Sequence, residues 1–91
     1  MDKLIQKAIV GNKRAQREIF RQIIPPLKRL ILAKIGNPFD AEEVLGNTLI
    51  SVLDCLPTYS GKGSFLAWSI GIGRHEIVDF YRKKKIKEIL F

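Results

Sequence analysis

The chain has 91 residues, enough for one small domain, and its apolar residues, 46% of the total, are spread along its whole length. That composition excludes a disordered polar tail, and no apolar run approaches the roughly 20 residues that a membrane-spanning helix requires. Sixteen Lys and Arg against nine Asp and Glu give a net charge of +7. This charge favours a polyanionic partner, nucleic acid before membrane, with basicity for solubility alone as the alternative.

The charge is unevenly distributed along the sequence. Residues 1–39 hold nine basic and two acidic side chains, and residues 61–91 hold seven basic and three acidic ones. Residues 40–60 hold four acidic side chains and no basic one, which indicates either a second partner or a fold that neutralises its own charge. The single cysteine, Cys55, cannot form an internal disulfide, and no signal peptide is recognisable, so we predict a cytoplasmic protein.

Apolar periodicity near 3.6 residues predicts an all-α fold, a compact bundle of three long helices plus a short N-terminal one. Asp2 is expected to cap the short helix, which ends near residue 11. A second helix is predicted over residues 13–35. Within it, the Pro25–Pro26 pair either introduces a kink or begins a new helix, since proline suits a first turn and not an interior.

The third helix is predicted from Asp40 to Leu56, because Asp40 and Glu43 resemble a capping box ahead of an apolar stripe. Gly46 lies inside this helix and costs on the order of 1 kcal/mol relative to alanine. A turn-rich loop follows over residues 57–63.

Ser64 is expected to cap a fourth helix that reaches at least Lys85 and is apolar around much of its circumference. One neighbouring helix cannot bury all of that surface, so we expect some aromatic surface to be left for a ligand. Gly71 and Gly73 lie inside this helix, where close packing explains a glycine best.

The sequence offers little that could support catalysis. His75 is the only histidine, and neither a serine nor the cysteine has an evident base partner at a recognisable spacing. The Gly61–Gly63 segment lacks the length and the strand context of a phosphate-binding loop. Asp54 and Glu42 are better explained as part of a solvated helix face than as an acid pair. We therefore predict no enzymatic activity, no metal site and no cofactor.

Three features favour nucleic-acid binding. A basic run at residues 82–85 suits phosphate contacts, although basic residues also complement the C-terminus of a helix. Tyr59, Phe65 and Trp68 gather near the loop, where they can stack on unpaired bases or belong to the core. The pair at residues 74–75 precedes the basic run by two turns, so one helix face could follow a phosphate backbone.

The order of these features resembles the second conserved region of bacterial RNA polymerase sigma factors, most closely the extracytoplasmic-function group. The resemblance spans residues 2–87, and the segments that carry it are Asp40-Ala41-Glu42-Glu43-Val44, Gly63-Ser64-Phe65-Leu66-Ala67-Trp68 and Arg74-His75-Glu76-Ile77-Val78-Asp79-Phe80-Tyr81-Arg82. It implies a domain that docks on core RNA polymerase and recognises and melts the minus-10 promoter element. Promoter DNA, as the non-template single strand, is then the second partner, an anti-sigma factor is a possible third, and no membrane is involved.

The resemblance also implies roles for individual residues. The third helix would bind the clamp helices of the largest polymerase subunit through Asp40, Glu43, Asn47 and Asp54. The loop and the fourth helix would bind flipped-out bases and the DNA backbone through Tyr59, Ser60, Lys62, Ser64, Phe65, Arg74, His75, Arg82 and Lys83.

The chain departs from the family pattern at several positions. Gly46 and Asn47 stand where the family usually has a glutamine and an acidic residue, which weakens or relocates two polar contacts with polymerase. His75 replaces an asparagine, and Ser69 replaces an apolar residue. The helix-turn-helix that follows in the family has no counterpart in residues 1–91, which reads as a fragment of a longer protein. A stand-alone half of a split sigma factor, a decoy that occupies polymerase without opening promoters, and a generic basic DNA-binding domain remain alternatives.

Overall fold

The computed structural model describes residues 2–91, and in that range the chain forms four α-helices and no β-strand. The helices are α1 (Lys3–Ile9), α2 (Lys13–Ile35), α3 (Pro38–Cys55) and α4 (Phe65–Leu90), with one turn of 3-10 helix at Leu56–Thr58. The prediction of an all-α bundle with three long helices and a short leading one is confirmed. No helix among the described residues is both long and apolar enough to cross a membrane.

Two of the predicted helix caps are confirmed. The Asp2 carboxylate accepts a hydrogen bond from the Leu4 amide at 2.9 Å, and the Ser64 hydroxyl accepts one from the Ala67 amide at 3.2 Å. Each bond satisfies a backbone donor that the first turn of a helix leaves without a partner.

The capping box predicted at the start of α3 is wrong. The helix begins at Pro38, two residues earlier, and the Asn37 side chain accepts from the Phe39 and Asp40 amides at 2.9 and 3.1 Å. Asparagine is a strong N-cap residue, and proline is well tolerated at the first helical position, so this start outcompetes the one predicted. Asp40 therefore lies within the first turn, where its negative charge complements the helix dipole.

The two prolines do not divide α2, because the helix runs without a break from Lys13 to Ile35. Pro25 and Pro26 lack the amides that would bond to the carbonyls of Arg21 and Gln22, four residues earlier. Both of those residues are exposed, so water can satisfy their carbonyl groups. Of the two possibilities raised by the sequence, a new helix at the prolines is excluded.

α2 is the central element and packs against each of the other helices. Its buried side chains contribute to two clusters. The larger cluster joins α2, α3 and α4 and contains Ile23, Leu27, Ile31, Ala41, Val44, Leu45, Val52 and Ile77. The smaller cluster joins α1, α2 and the turn before α4 and contains Ile5, Ala8, Ala15, Ile19, Leu56 and Tyr59.

α4 packs closely against α2 and α3 at one glycine. A Cβ added to Gly73 would lie 2.9 Å from Leu27 Cδ2 and 3.6 Å from Thr48 Cγ2, so the close packing predicted there is confirmed. The same prediction for Gly71 is wrong, because that residue is exposed and no atom lies within 4 Å of an added Cβ. Beyond Phe80 every residue of α4 is exposed, and the last turns project from the bundle.

Candidate nucleic-acid and partner interfaces

The loop between α3 and α4 is held by a cluster of three aromatic rings. The Tyr59 ring lies 5.4 Å from the Phe65 ring in an edge-to-face arrangement and 5.1 Å from Trp68, and the Phe65 and Trp68 rings are 5.5 Å apart. The Tyr59 hydroxyl donates to the Gly63 carbonyl at 2.9 Å, which closes the loop on itself. Edge-to-face and offset pairs at these separations stabilise the cluster beyond the area that they bury.

Tyr59 is therefore placed differently from a base-stacking residue. Its side chain belongs to the smaller core cluster and only 7% of the residue is exposed, so neither ring face is available to a base. Phe65 and Trp68 are half-buried and pack against both core clusters, which leaves only part of each ring accessible. In this conformation Tyr59 shapes the loop, and its ring is not exposed to solvent.

The tip of the loop, residues 60–64, is exposed and polar. Gly61 and Gly63 have φ angles of 82° and 72°, a region that only glycine adopts without strain. The Ser60 hydroxyl oxygen accepts from the Lys62 amide at 3.3 Å, and the Ser64 hydroxyl caps α4. Each hydroxyl keeps its own O–H donor free, so the tip can hydrogen-bond to a base edge or a phosphate.

Two of the predicted phosphate-binding side chains share one acidic partner. Asp79 lies one turn before them on α4, 2.6 Å from Arg82 Nη2 and 3.1 Å from Lys83 Nζ. The hydrogen bond from Lys83, followed by that from Arg82, lowers the pKa of Asp79 below its usual value. In the described range no carboxylate lies within 4.0 Å of the other three lysines at residues 84–87, so these are the side chains most available to phosphates.

Arg74 and His75 are both exposed on the first half of α4. His75 lines an open groove between α3 and α4, together with Cys55 and Trp68. The Ser51 hydroxyl donates to the Glu76 carboxylate at 2.8 Å across the floor of this groove and ties the two helices together. His75 and Trp68 thus line the same groove, whereas Arg74 lies outside it.

The four predicted polymerase-binding residues share one side of α3. At about 100° per residue, Asp40, Glu43, Asn47 and Asp54 fall within an arc of about 60°. The first three line a second groove, whose opposite wall includes Lys83, Lys84 and Lys87 of α4. Among residues 2–91 no ion pair shorter than 4.0 Å joins α3 to α4, so the acidic side chains of α3 remain open to an outside partner.

Sequence analysis missed two exposed apolar side chains on this helix. Phe39 is 86% exposed and Ile50 is 60% exposed, and both point away from the core. Their spacing of 11 residues, about three helical turns, puts them on the same side as Glu43. The apolar residues of α3 that face the core can be recognised from their helical spacing. Phe39 and Ile50 lie on the opposite side of the helix, and this position could have identified them from the sequence.

Comparisons with known proteins agree with this geometry. The family described as Sigma-70 region 2 matches residues 19–86. The chain is 29% identical over 87 residues to the ECF RNA polymerase sigma factor SigD of Mycobacterium tuberculosis, covering 90% of this chain and 41% of that protein. It is 27% identical over 88 residues to the ECF RNA polymerase sigma factor SigF of Caulobacter vibrioides, covering 96% of this chain and 49% of that protein.

A third relative is the ECF RNA polymerase sigma factor BldN of Streptomyces coelicolor, which is 24% identical over 88 residues and covers 96% of this chain. The chain thus spans less than half of the length of each of these relatives. No solved structure matches it. Since the family match covers most of the helical bundle, including the loop and nearly all residues that line the two grooves, the chain belongs to the sigma-70 region 2 family and is of the extracytoplasmic-function type.

Proposed function

We propose that this domain docks on core RNA polymerase through α3 and recognises and melts the minus-10 promoter element through the 59–65 loop and α4. The observation that carries the proposal is that one bundle of a sigma-70 region 2 fold carries an acidic helix, α3, and a basic helix end on α4. α3 carries four acidic residues and no basic one, while the last turns of α4 expose a basic run. The two surfaces can therefore engage a protein and a polyanion at the same time.

Promoter opening by such a domain requires no hydrolysis. Unpairing and flipping a base costs a few kcal/mol, and a shaped pocket that binds only the flipped base offsets that cost. The loop tip supports this role because its glycines allow the backbone to approach closely and its two serine hydroxyls have free donors. The lysines of α4 add affinity without sequence preference, since point charges meet phosphates irrespective of the base. The domain thus stabilises the separated strands and shifts an existing equilibrium.

The docking half of the proposal is tested by co-purification with core RNA polymerase. Reversing two exposed charges on α3, by Glu43→Lys and Asp54→Lys, should weaken the complex and change its salt dependence. Glu18→Lys on α2 is the matched control, because it reverses the same charge on another helix. The wild-type chain failing to bind core polymerase, or all three variants binding like the wild type with intact circular dichroism spectra, would refute docking through α3.

The DNA half is tested with labelled oligonucleotides and fluorescence anisotropy. The chain should bind the non-template strand of the promoter element more tightly than the duplex or a scrambled strand, and the affinity should fall steeply with salt. Equal affinity for all three would leave only a non-specific basic surface. Addition of core polymerase to a duplex promoter that carries a fluorescent base then reports strand opening. Docking without opening would identify the decoy alternative.

A further inference from the structure

Gly46 lies near the middle of α3, yet nothing within the protein requires a glycine there. It is exposed, an added Cβ would meet no atom within 4 Å, and its φ angle is not positive. Glycine nevertheless destabilises a helix interior relative to alanine, because it loses more backbone freedom on folding. The fold alone would therefore be served better by alanine at this position.

The residues around Gly46 form a regular pattern on the outside of α3. Phe39, Glu43, Gly46, Ile50 and Leu53 follow one another at intervals of four, three, four and three residues. This is the spacing with which one helix packs along another in a coiled coil. We call these five residues the outer stripe. Two of its apolar members, Phe39 and Ile50, are 86% and 60% exposed, and Gly46 lies between them.

We infer that Gly46 is a contact point at which a helix of the docking partner approaches the backbone of α3 closely. The distance between two packed helices ranges from about 8 to 10 Å according to the side chains at the contact, and a residue without a side chain allows the shortest distances. Phe39 and Ile50 then pack against the same partner helix, one on each side of Gly46 along α3. This inference rests on the proposed docking function and assigns a specificity-determining residue within it.

The charges on α3 define the chemistry of that partner helix. The outer stripe contains Glu43, and Glu42 and Asp54 are exposed beside it, while α3 has no basic residue. A partner helix that fits this surface carries basic side chains at its flanks and an apolar stripe between them, with a bulky side chain over Gly46. The missing side chain at Gly46 therefore makes room for the bulky side chain of the partner. The glycine contributes to the contact and does not weaken it.

The test compares substitutions at Gly46 and Gly71 by measuring binding to immobilised core RNA polymerase. Gly71 is the matched control for polymerase binding, because it is also an exposed helical glycine with open space around it and lies on α4, outside the proposed docking helix. Gly46→Ala and Gly71→Ala should both raise the Tm, since both improve helix propensity. Gly46→Ala should weaken polymerase binding by about fivefold or more, the effect of one extra methyl group in a close-packed contact, whereas Gly71→Ala should leave it unchanged.

Gly46→Gln separates this inference from a simple loss of contact. If Gly46 merely lacks a polar contact, glutamine restores it and binding tightens. If Gly46 permits close approach, glutamine weakens binding more than alanine does. Tighter binding by Gly46→Gln, or wild-type binding by Gly46→Ala, would overturn the inference while docking through α3 stands. Absence of binding by the wild-type chain would overturn both.

Discussion

Gly73 is the position at which the packing of α4 against α2 can be tested most directly. A Cβ at Gly73 would lie 2.9 Å from Leu27 Cδ2, closer than real Cβ contacts, so either the leucine or the helix must move. Leu27 is fully buried in the larger core cluster, which leaves its side chain little space to move. Gly73→Ala should therefore strain the contact between the helices.

The size of the effect follows from two opposing contributions. Overpacking a core costs about 1–3 kcal/mol, whereas replacing a helical glycine by alanine gains about 0.8–1.0 kcal/mol. Gly71→Ala gives the gain without the clash, because its surroundings are open. The free energy of unfolding of Gly73→Ala should thus lie about 1–3 kcal/mol below that of Gly71→Ala. Each kcal/mol corresponds to about 4–8 °C in Tm for a domain of this size.

Urea denaturation followed by circular dichroism at 222 nm measures both free energies of unfolding. The m-values of the two variants should agree, so that the difference reflects stability and not a change in the unfolded state. Equal stabilisation of both variants would show that Leu27 yields without cost, and the close contact at Gly73 would then have no energetic consequence.

Three further predictions concern charge and a buried hydroxyl. Asp79→Asn should release Arg82 and Lys83, raise affinity for single-stranded DNA and steepen its salt dependence by up to about 1.4 in the log–log slope. Because the pKa of Asp79 is lowered, its carboxylate stays charged at pH values below its usual pKa, and the wild type should approach the variant only as pH falls through the lowered pKa. Replacing residues 83–85 with glutamine should weaken binding to all DNA sequences alike. It should flatten the slope by about 1.4 in anisotropy titrations, the contribution of Lys84 and Lys85, because Asp79 already occupies Lys83. Ser69→Ala should raise the free energy of unfolding, measured by urea denaturation, by about 1 kcal/mol. The reason is that the Ser69 hydroxyl is fully buried without a hydrogen-bond partner among the described residues. An unchanged or lower free energy of unfolding would contradict this prediction.

The amino-acid sequence predicted the helical elements well because their local signals were strong. Caps at Asp2 and Ser64 preceded runs rich in apolar residues, and both caps were confirmed. The start of α3 was misplaced because two acceptable caps lay three residues apart, and the sequence alone did not show that Asn37 followed by Pro38 competes better than Asp40. Helix boundaries of this kind depend on small differences in free energy between alternative starting residues.

The candidate site was predicted less completely, because its residues are defined by which side of a helix faces the core. The aromatic residue nearest the loop, Tyr59, has the chemistry of a stacking residue, and only its burial against α1 and α2 shows that it shapes the loop instead. Conversely, Phe39 and Ile50 have the chemistry of core residues, and only their position opposite the core stripe shows that they are available to a partner.

The helical glycines show why periodicity fails on α4 in particular. Ser69, Gly73 and Ile77 are the buried residues of that helix and follow one another at intervals of four, so they form the row that contacts α2 and α3. Gly71 lies about 160° away from Gly73 around the axis, counted the short way, and is exposed. A sequence pattern can separate two such glycines only where apolar residues mark one side of the helix, and α4 has apolar residues on every side. On α3 the core stripe is well marked, so Gly46 could be placed on the outside from sequence once that stripe was known. A glycine on a marked outer face, with no contact inside the protein, is therefore the kind of residue whose purpose must be sought in a partner.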